Sequence, residues 1–392
     1  MDKLRILAFS HSADMGGAEI VLWDIIRSLD PRRFEIHLAV PHPGPLEDKA
    51  RLAGFPVHRG FFRPWLAKRR FAWRHIYHAL LNVAGLPGLV LLIKGIKPDV
   101  VLSNSCTILS AALASCLCRV PHIWYVHETV SDEPEAFRFW AGNGRAFRII
   151  DRTGARIVTD SDYVRSTFPG RIRKRITTVY YGFEIPPERT PRIRKSAPAS
   201  AAWNAPGETI IAVMGVICER KGQLEAAQAM PLLLRDIPSA RLVFAGSTYP
   251  PDAGYRRRIE EFVSSHGLAD KVRFLGFMDA PGQVYETCDC VLVPSKVEPF
   301  GRIVVEAMLH RVPVVAAKIG GIPEIIRDGE TGTLFTSWSG EAIAHAVKTA
   351  LGRPDLVEMT ERAYQDAKRR FSMASMTKKI EAILLETAGR TP

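Results

Sequence analysis

Apolar and polar residues follow one repeating order along the chain: a short, predominantly apolar run, a turn, and a longer amphipathic stretch. Runs such as Leu4–Phe9, His122–Val126 and Cys290–Val293 have the length and composition of strands buried on both faces of a parallel sheet. The longer stretches space their apolar residues three or four apart, as Leu22 and Ile25 are, which is typical of a helix with one buried face. The repeated order of strand, loop and helix predicts an α/β protein with doubly wound parallel sheets.

The repeat pauses once, at residues 186–208, where proline, basic and small residues accumulate without periodicity. We therefore predict a linker between a first domain, residues 1–185, and a second, residues 209–370, followed by a last segment, residues 371–392. The predicted strands are Leu4–Phe9, Phe34–Val40, Phe55–His58, Asp99–Leu102, His122–Val126 and Arg156–Thr159, then Thr209–Met214, Arg241–Ala245, Val272–Leu275, Cys290–Val293 and Pro313–Ala317.

Composition adds a charge asymmetry. The chain carries a net charge of +12, and residues 1–185 hold 26 basic against 17 acidic residues, which favours an anionic partner such as a nucleic acid or a membrane surface. The six cysteines lie in apolar runs without a C-x2-C pair, so we expect reduced core residues in a cytoplasmic protein. The stretch Ala79–Ile93, interrupted by Asn82 and Pro87, falls short of the roughly 20 residues that a transmembrane helix needs.

The most informative stretch is Pro294–Gly301 with the helical pattern that follows it. A loop between a parallel strand and a helix lies at the carboxyl edge of the sheet, where ligands bind, and the helix N-terminus offers unpaired N–H groups to an anion. Gly301 lets backbone approach that anion, while Glu298 and Glu306 flank it. Because carboxylates accept hydrogen bonds from vicinal hydroxyls, a diphosphate between two polyols, that is, a nucleotide sugar, fits this stretch.

These residues resemble the signature of retaining glycosyltransferases of family 4, which have the GT-B fold. The resemblance rests on Glu298-x7-Glu306, on Gly320-Gly-Ile-Pro-Glu and on the Gly16-Gly17-Ala-Glu loop. It implies two Rossmann-like domains facing each other across a cleft, the first for the acceptor and the second for the donor, with the last helix crossing back to the first. It also implies sugar transfer from a UDP- or GDP-linked donor to a hydroxyl, without metal or other cofactor.

The resemblance further implies roles for individual residues. His127, at the tip of a predicted strand, is implied to hold the transferred sugar and its phosphate. Lys221 is a point charge suited to a diphosphate, whereas Val216 stands where many members have an arginine, which Arg220 is expected to replace. The implied catalytic residues are His127, Glu298, Lys221 and Arg220, and the implied donor-binding residues are Gly16, Gly17, Lys221, Arg220, Gly276, Phe277, Met278, Ser295, Glu298, Phe300, Gly301 and Glu306.

Asp160-Ser161-Asp162 has the D-x-D form of a metal motif, but its position before a helical segment favours N-capping instead. Residues 59–74 contain six basic residues, five aromatics and no acid, a mixture typical of a segment at a membrane interface. We expect Arg63, Trp65, Lys68, Arg69, Arg70 and Trp73 to contact an anionic membrane. The alternative is that the aromatic rings pack inward and the arginines coat a surface helix.

Two other functions stay open from the sequence. A nucleotide-sugar 2-epimerase of the same architecture would act on the donor alone. A nucleic-acid or sugar-binding protein would use the basic surface, but it gives no reason for Glu298 and Glu306 to flank an anion site. We therefore expect a glycosyltransferase that uses a glycan or lipid-linked acceptor, binds no nucleic acid, and is peripheral at the inner face of the plasma membrane.

Overall fold

The computed structural model describes residues 2–66, 72–130, 142–187, 205–278 and 281–391, and for residues 72–76 it describes the backbone only. The chain divides into two compact units. The first comprises Met1–Phe183 and Phe371–Pro392, and the second comprises Glu184–Arg370. Lys68, Arg69 and Arg70, the side chain of Trp73 and most of the predicted linker lie outside the described residues.

The first unit is built on a parallel sheet with the strand order β3-β2-β1-β4-β5-β6-β7. Its strands are β1 (Leu4–Phe9), β2 (Phe34–Val40), β3 (Val57–Arg59), β4 (Val100–Ser103), β5 (His122–Val126), β6 (Arg156–Thr159) and β7 (Ile176–Thr178). Its helices are α1 (Gly17–Ser28), α2 (Pro45–Leu52), α3 (Ala72–Ile96), α4 (Leu109–Cys118), α5 (Asn143–Thr153), α6 (Asp162–Ser166) and α7 (Gly170–Arg173).

The second unit repeats this plan with the strand order β10-β9-β8-β11-β12-β13, again all parallel. Its strands are β8 (Thr209–Met214), β9 (Ala240–Ala245), β10 (Val272–Gly276), β11 (Cys290–Val293), β12 (Val314–Ala317) and β13 (Thr333–Phe335). Its helices are α8 (Gln223–Asp236), α9 (Ala253–Ser265), α10 (Gly282–Thr287), α11 (Arg302–Leu309), α12 (Ile322–Ile325), α13 (Gly340–Leu351) and α14 (Leu356–Arg370).

The predicted fold class is confirmed, and every predicted strand is present within two residues of its expected ends. Of the three-residue edge strands, β3 was predicted, whereas β7 and β13 were not. The central strands are fully buried, as in β11 and β12. Burial on both faces is the physical reason why these strands are continuous apolar runs.

The last helix, α15 (Met373–Thr387), belongs to the first unit. It packs beside α1, where Thr377 Oγ1 donates to Ser28 Oγ over 2.8 Å, and Glu381 forms a 2.9 Å ion pair with Arg33. Just before it, the Phe183 N–H donates to the Phe371 carbonyl over 2.8 Å. The chain thus returns to the first sheet after it has completed the second.

Two expectations need correction, one about the basic, aromatic segment and one about the apolar stretch that follows it. Trp65 is not available to a membrane, because only 5% of it is exposed and its Nε1 donates to the Cys106 carbonyl over 2.6 Å. The ring packs in the core with Trp124 and Phe147. The stretch Ala79–Ile93 was expected to be too short for a transmembrane helix, but it lies within the 25-residue helix α3, whose segment Tyr77–Ile96 is long and apolar enough to cross a membrane.

Candidate functional site

The first group of predicted site residues lies at the carboxyl edge of the second sheet. As predicted, β11 leads through the loop Pro294–Gly301 into α11. Gly301 is the N-cap of α11 with a φ of +113°, a value that favours glycine. The Phe300 side chain is buried and anchors the loop, so the N-terminus of α11 stays at this edge of the sheet.

The loop after β8 packs directly against this β11 loop. Gly222 has a φ of +71°, and a Cβ added to it would lie 2.1 Å from the Pro294 carbonyl oxygen. The Lys296 N–H donates to the Arg220 carbonyl over 2.8 Å and ties the two loops together. The close approach that a glycine permits therefore places Arg220 and Lys221 beside the Glu298 loop.

Lys221 and Glu298 form one ion pair, with Lys221 Nζ 2.5 Å from Glu298 Oε2. Both side chains are nearly buried, and Ser295 Oγ donates to the same carboxylate over 3.2 Å. Burial by itself would raise the pKa of Glu298, but the charge and hydrogen bond of Lys221 outweigh it, and the pKa is lowered. The sequence suggested two separate groups, whereas the structure joins them. An ammonium has three donors, so the pair leaves Lys221 two more for a ligand.

Glu306, on α11, is held by a residue that the sequence analysis missed. The Tyr285 hydroxyl donates to Glu306 Oε2 over 2.8 Å, and an Arg302 guanidinium nitrogen lies 3.4 Å from Oε1. Tyr285 stacks on His310 and is buried, and burial together with the Glu306 charge raises its pKa well above the usual range. Tyr285 thus orients the carboxylate that we expect to meet the ribose. No local sequence signal marks it, because α10 and α11 are separate elements.

The Gly320-Gly321 turn packs against the Glu298 loop. A Cβ on Gly320, whose φ is +59°, would lie 1.9 Å from the Glu298 carbonyl oxygen. The Gly321 N–H donates to that same oxygen over 3.0 Å. This amide is therefore engaged in holding the Glu298 loop, and the glycines bring this turn against the loop.

Three of the implied donor-binding residues lie at the end of β10, at the same edge of the sheet, with Gly276 as the last residue of the strand. Gly276 has a φ of +70°, Phe277 is 70% exposed and Met278 is half-buried. An exposed aromatic ring at a strand end can stack on a planar group, so Phe277 offers a surface suited to a nucleotide base. The roles of these residues stay predictions.

In the first unit, the Gly16-Gly17 loop meets the end of β4. Gly16 is the N-cap of α1, and a Cβ on it would lie 2.8 Å from Glu19 Oε2. Glu19 is buried, with His11 Nδ1 3.2 Å from its Oε1, and burial raises the pKa of this carboxyl. Asn104 Nδ2 donates to the Ala18 carbonyl over 2.8 Å, which fixes the loop to β4.

His127 lies at the end of β5, as predicted, but both of its ring nitrogens contact protein groups. Nε2 is 2.9 Å from Asn104 Oδ1, and Nδ1 is 2.7 Å from the Tyr181 oxygen. Tyr181 itself donates to Asp160 Oδ2 over 2.7 Å.

These partners orient the ring. The amide of Asn104 turns its oxygen to His127, because its nitrogen donates to the Ala18 carbonyl. The Tyr181 hydroxyl donates to Asp160, whose Oδ2 lies 3.9 Å from His127 Nδ1. His127 is therefore held at the end of β5 through both of its ring nitrogens.

The three residues of the D-x-D sequence have different surroundings and partners. Ser161 caps α6 by accepting from the Val164 N–H over 3.1 Å, as predicted. Asp160 is buried beside Tyr181, whereas Asp162 is exposed and lies 3.4 Å from Arg165. Within the part of the chain that the structure describes, no three His, Cys, Asp or Glu side chains come together as a set that could hold a metal ion.

Two units, each built on a parallel sheet, form the architecture of the GT-B glycosyltransferases. The second unit adds a helix N-terminus suited to an anion, with two carboxylates beside it. Comparison with known proteins agrees with this class. The family model for glycosyl transferases group 1 matches residues 199–370, and the model for glycosyltransferase family 4 matches residues 15–185. The chain belongs to glycosyltransferase family 4.

Individual relatives are more distant. A D-inositol 3-phosphate glycosyltransferase of Segniliparus rotundus is 30% identical over 62% of this chain and 53% of its own length. The lipopolysaccharide core mannosyltransferase LpcC of Rhizobium leguminosarum is 28% identical over 48% of this chain and 54% of its own. The chain thus spans about half the length of the curated relatives that it matches.

Among solved structures, HepE of Anabaena in complex with UDP and glucose has a TM-score of 0.77 at 23% identity, over 97% of this chain and 99% of its own. At this identity the likeness shows the fold alone. It agrees with the GT-B architecture expected from the sequence.

Proposed function

We propose that this protein is a retaining, metal-independent hexosyltransferase that transfers a sugar from a UDP- or GDP-linked donor to a hydroxyl group. The observation that carries the proposal is the nearly buried pair of Lys221 and Glu298, 2.5 Å apart at the carboxyl edge of the second sheet. Membership of glycosyltransferase family 4 supports the reaction class. The UDP and glucose bound by HepE support a nucleotide-sugar donor.

In this proposal the second unit holds the donor. Glu306, oriented by Tyr285, accepts hydrogen bonds from the ribose hydroxyls. Glu298 accepts from hydroxyls of the transferred sugar through the oxygen that does not face Lys221. The diphosphate between them meets Lys221, Arg220 and the N-terminus of α11.

Catalysis then rests on electrostatic stabilisation of the leaving diphosphate by Lys221 and Arg220, which gains strength as the anomeric C–O bond breaks. Neither Glu298 nor Glu306 is placed as a free nucleophile, since one is paired with Lys221 and the other accepts from Tyr285. We therefore propose that the acceptor oxygen attacks on the face that the diphosphate leaves. Its proton passes to the departing phosphate oxygen, which gives retention.

We propose a lipid-linked acceptor or a growing cell-surface glycan such as lipopolysaccharide. The similarity to a lipopolysaccharide core mannosyltransferase supports this choice. The excess of basic residues in the first 185 positions supports a location on the cytoplasmic face of the plasma membrane, where anionic lipids attract positive charge.

The direct test is a screen of UDP-, GDP- and ADP-sugars for binding and slow hydrolysis, with NMR of the released sugar to read its anomeric configuration. We expect one donor to be hydrolysed with retention and with full activity in a chelator. Inversion, or loss of activity on chelation, would contradict the mechanism. An epimer formed from donor alone would indicate a 2-epimerase.

Variants then assign the charges. Lys221→Ala and Arg220→Ala should each lower kcat more than they weaken donor binding, because negative charge builds on the diphosphate in the transition state. If Arg220→Ala leaves kcat unchanged while Lys221→Ala lowers it, Arg220 does not perform the function of the arginine that many family members have at the position of Val216.

A further inference from the structure

The helix α3 exposes an unusually apolar surface. Its stretch Tyr77–Ile96 is 20 residues long and apolar enough to cross a membrane, yet only 17% of its most apolar part is buried in the protein. Between Tyr77 and Ile93 the sequence has no Asp, Glu, Lys or Arg. A soluble core helix of this composition would have most of its surface covered.

The exposed residues form one continuous stripe. Leu80, Val83 and Leu91 are 66%, 70% and 70% exposed, and Tyr77 is 54% exposed. With the exposed Pro87 they are spaced by three or four residues, which places them on one side of the helix. This surface, Tyr77, Leu80, Val83, Pro87 and Leu91, is named the α3 stripe.

The opposite side of α3 is fixed to the sheet. Leu89 and Ile93 are buried in the core of the first unit with Phe9 and Val101. The helix also enters from β3 and leaves into β4, two strands of the same sheet. A span across a bilayer would pull these anchors out of the core, so α3 can contact a bilayer only by lying flat on it.

Aromatic and basic groups border the stripe. Phe61 is 47% exposed and packs its carbonyl against Gly85, where an added Cβ would lie 2.1 Å from the oxygen. The Arg63 guanidinium lies 5.5 Å from the centre of the Phe61 ring. Asn82 holds Arg63 in place from α3, accepting from its N–H over 2.7 Å and donating to its carbonyl over 2.9 Å.

We propose that the α3 stripe, with Phe61 and Arg63, is the surface by which the first unit binds an anionic phospholipid bilayer. Apolar side chains enter the acyl boundary while Arg63 meets lipid phosphates, the division of labour of interfacial helices. The sequence next to Arg63 continues with Lys68, Arg69 and Arg70, so the charge complements an anionic surface. This inference assigns a defined surface to the membrane location proposed above. It rests on the proposed function only where it assumes that the acceptor is lipid-linked.

The test compares the full chain with Leu80→Gln/Leu91→Gln in sedimentation with vesicles of phosphatidylglycerol and phosphatidylcholine. We expect the native chain to bind the anionic vesicles, more weakly at high salt, and the double variant to bind at least about tenfold more weakly. Arg63→Gln should weaken binding only at low salt. Leu52→Gln is the matched control, because Leu52 is 90% exposed on α2 of the same unit; it should bind like the native chain.

A second readout does not depend on loss of binding. Val83→Cys, labelled with an environment-sensitive fluorophore, should shift to the blue on anionic vesicles. Unchanged sedimentation of the double variant together with no shift would overturn the proposal. A native dimer that the double variant dissociates, without vesicle binding, would also overturn it and assign the stripe to a second copy.

The same preparations separate this inference from the proposed function. Slow donor hydrolysis without vesicles should be equal in the native chain and in Leu80→Gln/Leu91→Gln. If vesicle binding depends on the stripe but no nucleotide sugar is hydrolysed, the membrane surface stands and the proposed function fails.

Discussion

Replacing Lys221 by methionine tests the buried ion pair of the second unit. Lys221 and Glu298 are only 13% and 12% exposed, so water cannot compensate for the missing ammonium. Breaking a buried pair by removing one partner typically costs about 3–5 kcal/mol. The Ser295 hydroxyl still donates to the carboxylate, and we therefore expect the lower end, about 3 kcal/mol.

Glu298→Gln should cost less, about 1–2 kcal/mol, because an amide oxygen still accepts from Lys221. In the double variant no charge is left without its partner, so its loss should fall short of the sum by about 2 kcal/mol. Lys348→Met is the control in the same unit. In its ion pair with Asp236 the two side chains are 36% and 55% exposed, and the expected loss is below about 1 kcal/mol.

The dependence on pH has a definite sign. The pKa of Glu298 is lowered in the folded protein, so its stabilising contribution is present above the unfolded value of 4.5 and is lost as the pH falls through the folded pKa. In Lys221→Met the buried carboxyl loses its counter-charge, so its pKa should rise instead and acid should stabilise it. The difference between native and variant should therefore shrink from pH 7 to pH 5.

Hydrogen exchange measures these energies within each unit. Amides of β8 and β11 report the second unit, and amides of β1 in the first unit serve as an internal control that should not change. A loss below about 0.5 kcal/mol in β8 and β11 for Lys221→Met, or additive losses in the double variant, would refute the reasoning.

Three further predictions follow from other contacts. Glu306→Ala should raise the Kd of the bare nucleotide, measured by calorimetry, about ten- to a hundredfold. Tyr285→Phe should raise it less, because this change removes only the hydrogen bond that orients Glu306. An unchanged Kd in Glu306→Ala would argue against a contact of Glu306 with the ribose. Gly320→Ala should destabilise the second unit more than Gly329→Ala, because only at 320 does the Cβ meet a carbonyl, at 1.9 Å; equal melting temperatures would contradict this. Burial lowers the pKa of His122 to about 3, so on acidification the unfolded chain binds a proton at this residue before the folded chain does. The free energy of unfolding should therefore fall between pH 6.5 and pH 3. His122→Phe should make this fall less steep.

The sequence correctly predicted the fold class, the central strands and the order of strand, loop and helix at Pro294–Gly301. The sequence could do so because a strand buried on both faces is an apolar run, and a helix with one buried face has apolar residues every three or four positions. The edge strand β7 left no such trace, since three residues are too few for a period.

Which of the predicted residues contact each other depends on tertiary packing. Lys221 and Glu298 are 77 positions apart and come within 2.5 Å because Gly222 lets two loops pack closely. Tyr285 and Tyr181 orient Glu306 and His127 from elements distant in sequence. Trp65 and Phe61 are both aromatic residues of the segment 59–74, yet Trp65 is buried and Phe61 is exposed. Composition sets what a side chain can do, whereas its partners depend on packing between distant elements, which no local pattern encodes.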